Sequence, residues 1–279
     1  MPPPNRFDSM KTLILSGFGT NCEKETLYAC RRSGGREVET RHINEIYEGA
    51  VRLGDYGFLI LIGGFLDGDD LGGARACANR FRYRELPQGG TFLDELHGFI
   101  AEGRLVLGIC NGFQLLVRLA LLPGEEGNGG GQEVTFGPNA GGRFEDRWVH
   151  LHPDPGSPCI FTRGLTALEL PVRHGEGRII PREETVLAGL VERKLAPLRY
   201  CLPEGIPTEA YPANPNGSPL GIAALCNPAG TVMGLMPHPE AFNHYTNHPQ
   251  WSRRPKTGED GDGLAIFRNA YLHLRQTAR

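Results

Sequence analysis

Short, almost wholly apolar runs alternate along the first half of the chain with segments whose apolar residues recur every three or four positions. Residues 11–16 form the first run and end in Gly17-Phe-Gly19, and residues 23–33 have helical composition and stop at Gly34-Gly35. Residues 38–43 suit a second strand. Phe58-Leu-Ile-Leu-Ile62 contains no polar residue, as a strand covered on both faces requires. In residues 91–102, Phe92, Leu96, Phe99 and Ile100 make one apolar helical face. Residues 104–109 form another buried strand that runs straight into residues 111–122, where Phe113, Leu115, Leu116, Leu119 and Leu122 suit a helix packed on a sheet. Strand, sharp turn and helix in repetition predict an α/β fold, a doubly wound and mostly parallel sheet with helices on both faces.

The second half reads differently. Residues 124–142 are glycine-rich, hold no long apolar run and are expected to be a loop. Across residues 148–225 shorter β-like pieces are punctuated by proline and glycine, which adds a small antiparallel β portion. Residues 220–225 and 231–236 read as paired strands about the turn Asn227-Pro-Ala-Gly230. The polar, aromatic stretch 242–260 is expected to be an ordered loop, and residues 263–274 a final helix. With no repeat and no second apolar core, residues 11–279 read as a single domain and residues 1–10 as a loose leader.

Composition narrows the function. The chain has 279 residues, 39% hydrophobic and 22% charged, which is globular rather than disordered. A net charge of −3 without a basic block points away from nucleic acid and anionic membranes. No apolar run approaches the ~20 residues that cross a bilayer, and Met1-Pro-Pro-Pro-Asn-Arg6 lacks the apolar core of a secretion signal. Seven cysteines, an odd number without zinc-ligand spacing, fit free thiols in a reducing, cytoplasmic setting, with no metal site.

The sharpest chemical signal is Gly108-Ile-Cys110-Asn-Gly112, between a buried strand and a helix. Small residues two before and two after a nucleophile are the pattern of a nucleophile elbow, whose turn is too tight for side chains at its shoulders. Such a turn exposes the sulfur above the sheet at a helix N-terminus, whose partial positive charge favours thiolate, and frees the Asn111 N–H for a developing oxyanion. For a lone cysteine the competing reading, an inert buried thiol, prevails; both flanking glycines reverse that here. Met236-Pro-His238-Pro-Glu240 supplies a base and its support at the end of another strand, and in extended backbone His238 and Glu240 point to one side. A surface histidine in a proline turn is the alternative, and the pairing with Cys110 outweighs it. Ile62-Gly-Gly64-Phe65 follows a third buried strand, where a free backbone N–H serves as a second oxyanion donor; alone it would be only a turn.

With these motifs aligned, the chain resembles the class I glutamine amidotransferases, and among them the glutaminase subunits of phosphoribosylformylglycinamidine synthases. The resemblance covers residues 11–274 and is carried by Gly19-Thr-Asn-Cys22-Glu23, Gly63-Gly-Phe65 with Gly68-Asp69, Gly108-Ile-Cys-Asn-Gly-Phe-Gln114 and Arg147-Trp-Val-His-Leu151. It continues through His174-Gly-Glu-Gly-Arg178, Asn214-Pro-Asn-Gly-Ser218 and Met236-Pro-His-Pro-Glu240. The resemblance implies Cys110 as nucleophile, His238 as base, Glu240 as its support, Gly64 and Asn111 as oxyanion donors and Gln114 as a substrate-holding residue. Three features depart from the family pattern: Ala241 in place of arginine, Leu66-Asp67 in place of Ser-Tyr, and a longer connection over residues 242–260.

The expected chemistry is hydrolysis of glutamine through a Cys110 thioester, with ammonia passed through a tunnel to a large synthetase subunit. A small accessory subunit is compatible with that assembly. The sequence has no Gly-x-x-x-x-Gly-Lys phosphate loop, so ATP and magnesium are expected on the partner and no cofactor in this chain. A stand-alone cysteine hydrolase and a non-catalytic interaction module of the same fold are the alternatives. A metal enzyme built on His244 and His248, at helical spacing, is disfavoured by the His248-Pro249 step.

Overall fold

A computed structural model describes residues 10–124, 131–255 and 258–277, so the expected leader falls almost entirely outside the described residues. The apolar runs become strands β1 (Thr12–Ser16), β3 (Phe58–Leu61) and β4 (Leu105–Ile109), with the less apolar β2 (Val38–His42) at the sheet edge. Near the C-terminus the expected hairpin forms from β10 (Ala224–Cys226) and β11 (Val232–Leu235). Its turn is closed by the Gly230 N–H donating to the Asn227 carbonyl at 2.9 Å.

The six-stranded sheet has the order β10-β11-β4-β3-β1-β2. All neighbours run parallel except β10, which is antiparallel to β11. The register sets Leu61 beside Gly108 and Gly108 beside Gly234, so β1, β3, β4 and β11 all end on one edge. Ligands bind outside that carboxyl edge in doubly wound sheets. Four of these strands, β3, β4, β10 and β11, are buried along their whole length, which is why they read as uninterrupted apolar runs.

Helices cover the sheet in two groups. α1 (Glu23–Arg32) packs on the C-terminal α7 (Leu264–Thr277), which meets the sheet through Tyr271. The Tyr271 hydroxyl lies 2.9 Å from Thr12 Oγ1, and its ring stands edge-on to Phe58 at 5.9 Å. The second group is α3 (Arg75–Tyr83), α4 (Phe92–Ala101) and α5 (Asn111–Arg118). Thr91 caps α4 through a reciprocal bond with Asp94, the capping box that fixes its start. Between β2 and β3 lies the one-turn α2 (Ile43–Tyr47), anchored by buried Ile43 and Ile46.

Above the carboxyl edge sits the antiparallel portion. β6 (Glu145–Pro153) is central between β7 (Leu168–His174) and β9 (Leu198–Cys201), and β5 (Val134–Gly137) pairs with β8 (Arg178–Pro181).

Several expectations need correction. Residues 124–142 are not all loop: β5 lies within them, alternating buried Val134 and Phe136 in a glycine-rich setting that masks the period, while residues 125–130 lie outside the described residues. The β-like stretch 148–225 contains a helix, α6 (Glu184–Glu192), which buries only Leu190 and so has little apolar periodicity to read. α2 and α3 were not anticipated. α5 ends at Arg118 rather than 122, because Ala120 turns into the left-handed region (φ 60°) and Pro123 follows. Residues 242–260 are ordered where described: the His244–Asp260 bridge closes the segment and Trp148 packs on Phe242 and His248 at 4.9 and 4.4 Å. Among the described residues no helix is long and apolar enough to cross a membrane.

Candidate active site

Cys110 sits between β4 and α5 with φ 51° and ψ −104°, a conformation that L-residues rarely adopt. Its N–H donates to the Leu235 carbonyl at 2.8 Å and its carbonyl accepts from the Gln114 N–H at 3.0 Å, which pins the turn to β11 and α5. The flanking glycines are steric necessities. A Cβ on Gly108 would lie 2.6 Å from Leu116 Cδ1 and 2.7 Å from the Gly112 carbonyl oxygen, and one on Gly112 would press into the Leu61 carbonyl.

His238 and Glu240 follow β11 on the same edge. The His238 N–H donates to the Pro171 carbonyl at 2.8 Å, tying the segment to β7. His238 Nδ1 is 2.6 Å from Glu240 Oε1, in a setting where the side chains are 3% and 0% exposed. Strand alternation does not bring them together, as the sequence suggested. Pro239–Ala241 is a 3₁₀ turn that folds Glu240 back beneath an extended His238. The other ring nitrogen, Nε2, is buried without a partner.

Gly63 marks how close His238 and Cys110 come. A Cβ there would be 2.9 Å from His238 Cε1 and 3.6 Å from Cys110 Cβ, so only glycine leaves room for both. Cys110, His238, Gly64, Asn21, Phe65, Phe144 and Arg173 line one cavity of about 120 Å³.

Burial works against charge on His238, but the Glu240 carboxylate and then Cys110 outweigh it and raise the imidazole pKa well above its usual value. The reverse holds for Glu240, where burial is outweighed by His238 and the carboxylate pKa is lowered. The raised pKa favours the protonated imidazole, with Nδ1–H directed at Glu240 and the Nε2 proton left for chemistry.

Gly64 has φ 143°, and a side chain there would meet the Gly19 carbonyl oxygen at 2.5 Å. Neither the Gly64 nor the Asn111 N–H has an acceptor among the described residues. The Asn111 side chain is occupied elsewhere: Oδ1 accepts from the Leu66 N–H at 2.8 Å, and Nδ2 donates to Gln114 Oε1 at 2.7 Å and to Asp69. Gln114 is not brought to the cavity. It is buried, and its amide donates to the Glu176 carbonyl at 2.6 Å, joining α5 to the loop after β7. His244 and His248 are not on a helix, and their backbones are extended.

Two neighbours of His238 and Glu240, Cys22 and Arg173, have no role expected from the sequence. The Cys22 sulfur, a His238 ring nitrogen and a Glu240 oxygen lie within 4.8 Å of one another, the one donor set among the described residues spaced to hold a metal ion. The His238–Glu240 hydrogen bond already uses two of its donors. Burial raises the Cys22 thiol pKa, although the nearness of His238 acts against it. Its place just after β1, on the shared edge, was a readable signal. Arg173 gave none, for it reaches the cavity from β7 of the antiparallel layer.

The model of the CobB/CobQ-like glutamine amidotransferase domain matches residues 9–274. The chain belongs to that family. Among curated relatives, a phosphoribosylformylglycinamidine synthase subunit PurQ from Dehalococcoides mccartyi is 40% identical over 269 residues, 96% of this chain and 98% of its own length. A subunit of the same name from Methanococcus maripaludis is 36% identical, over 95% of this chain and 99% of its own. The solved structure of PurLQS from Thermotoga maritima matches with a TM-score of 0.68, at 24% identity, over 95% of this chain and 99% of that one. That likeness bears on the fold, which is the mostly parallel sheet and antiparallel layer expected of this glutamine amidotransferase.

Proposed function

We propose that this chain is the glutaminase subunit of phosphoribosylformylglycinamidine synthase, with Cys110, His238 and Glu240 as its catalytic residues. The observation that carries the catalytic assignment is the strained Cys110 elbow sharing one cavity with His238, which is hydrogen-bonded to the buried Glu240 behind it. Near-full-length likeness to named subunits of that synthase carries the assignment of the pathway step.

The Cys110 thiolate attacks the side-chain amide carbon of glutamine, and the oxyanion is received by the Gly64 and Asn111 N–H groups. His238 gives its proton to the departing nitrogen as the C–N bond breaks, leaving a thioester and ammonia. Water, deprotonated by His238, then attacks the thioester, and glutamate leaves as the sulfur is restored. Glu240 keeps the imidazole oriented and stabilises its protonated form. Gln114 contributes from behind the substrate, by fixing Asn111 and the loop around Glu176.

Ammonia is useful only unprotonated and away from bulk water, so it passes to a large synthetase subunit. There formylglycinamide ribonucleotide becomes the amidine with ATP and magnesium, which this chain need not hold. All seven cysteines are free thiols, which supports a cytoplasmic setting, and residues 11–279 act as one domain.

Cys110→Ala tests the reading. In the complex it abolishes synthesis driven by glutamine and leaves synthesis driven by added ammonia. Retention of glutamine-driven synthesis contradicts the assignment.

A further inference from the structure

Arg173 is the only side chain with a fixed positive charge among those lining the Cys110–His238 cavity. It is the next-to-last residue of β7, and its backbone carbonyl faces the Cys110 sulfur at 3.8 Å. The guanidinium reaches toward the catalytic pair, with one nitrogen 3.3 Å from His238 Nδ1 and 3.8 Å from Glu240 Oε1. The shorter contact is not a hydrogen bond. Nδ1 directs its proton to Glu240, and a guanidinium has donors only.

A cation therefore stands beside a protonated imidazole, held there only by the Glu240 carboxylate. No other acceptor among the described residues engages the Arg173 guanidinium. Its side chain is 39% exposed, which leaves the guanidinium room to turn toward the cavity mouth.

Glutamine, the substrate on which this inference rests, carries an α-carboxylate at the end remote from the reacting amide. Arg173 is the one fixed cation on the cavity wall, and a carboxylate entering a largely desolvated cavity is tolerated only opposite a cation. We propose that Arg173 receives the α-carboxylate of glutamine and thereby selects the free amino acid over neutral amides. A planar guanidinium matches a carboxylate with two parallel N–H bonds, which a lone ammonium does not. Turning to the substrate also removes a like charge from His238 and leaves the His238–Glu240 bond intact. Arg173 thus binds substrate, and His238 responds to its departure.

The test compares L-glutamine with L-glutamine α-amide, whose carboxylate is neutralised, in the assembled complex with the synthetase. Wild type, R173A and R173K are each measured for ammonia release, with co-purification and thermal melting reporting folding. R173A is expected to raise the KM for glutamine about 10- to 100-fold, the loss of one charged hydrogen-bonded contact. The wild-type preference for glutamine over its α-amide should collapse by the same factor, and R173K should restore part of it. A fall in kcat shared equally by both substrates, with KM unmoved, overturns the proposal and makes Arg173 only a neighbour of His238. Ammonia release from neither substrate by wild type would instead sink the glutaminase reading itself.

Discussion

The parallel-sheet edge and the antiparallel layer above it build the same cavity by different means. At the edge, each proposed site residue follows within three residues of a buried strand: Gly64 after β3, Cys110 after β4, His238 after β11. Backbone register places them, so the chemistry is carried by short strings of adjacent residues. The antiparallel layer contributes Arg173 from β7 and Phe144 from the approach to β6, by folding over the top. Local sequence dictates the first kind of residue, and tertiary placement dictates the second.

Glu240→Gln probes the edge and carries the larger expected effect. An amide in place of the carboxylate no longer stabilises the protonated imidazole and can donate to Nδ1, favouring the wrong tautomer. Glutamine hydrolysis should fall about 10²- to 10⁴-fold. Since Glu240 raises the His238 pKa, its loss should move the His238 limb of the pH–rate profile to lower pH. A profile that stays in place would mean that the pair does not act as a unit. The same pairing links folding to pH: Glu240 titrates below its usual value, so its contribution is present above about pH 4.5 and is lost as pH falls through the lowered pKa.

Trp148→Ala probes the layer. Trp148 stands edge-on to Phe242 and His248, and His248 Nε2 lies 3.0 Å from Glu169 Oε1, holding residues 242–255 against β6 and β7. The segment also touches the His238–Glu240 turn, for Asn243 Nδ2 donates to the Glu240 carbonyl at 2.8 Å. Truncation of this half-buried ring should cost about 2–4 kcal/mol in urea unfolding. Hydrogen-exchange protection across residues 242–255 should fall with it. Turnover should drop less than in Glu240→Gln. A loss of turnover as large as that variant's would erase the distinction between the two regions.

What was legible in the sequence follows the same division. The strands with one uniform environment were readable because burial on both faces leaves no polar position. The Cys110 turn was readable because Gly108 and Gly112 are forced by contacts with Leu116 and Leu61. α6 was not, since a helix burying one leucine has almost no face to detect. The family-marking string Asn214-Pro-Asn-Gly-Ser218 does its work inside the cover. Asn214 Nδ2 donates to the Ser218 carbonyl at 2.8 Å, Asn216 Nδ2 meets the Tyr200 hydroxyl at 3.1 Å, and Gly217 takes φ 76°. The spacing of His238 and Glu240 was read correctly for the wrong reason: proximity comes from a 3₁₀ turn, not from a strand.

The most direct measurement is the site of covalent labelling when the complex is treated with a thiol-reactive glutamine analogue and its peptides are mapped by mass spectrometry. Of the seven cysteines, the account predicts modification of Cys110 alone, blocked by excess glutamine. A label on Cys22, beside the same histidine, or equal labelling with and without glutamine, would contradict it.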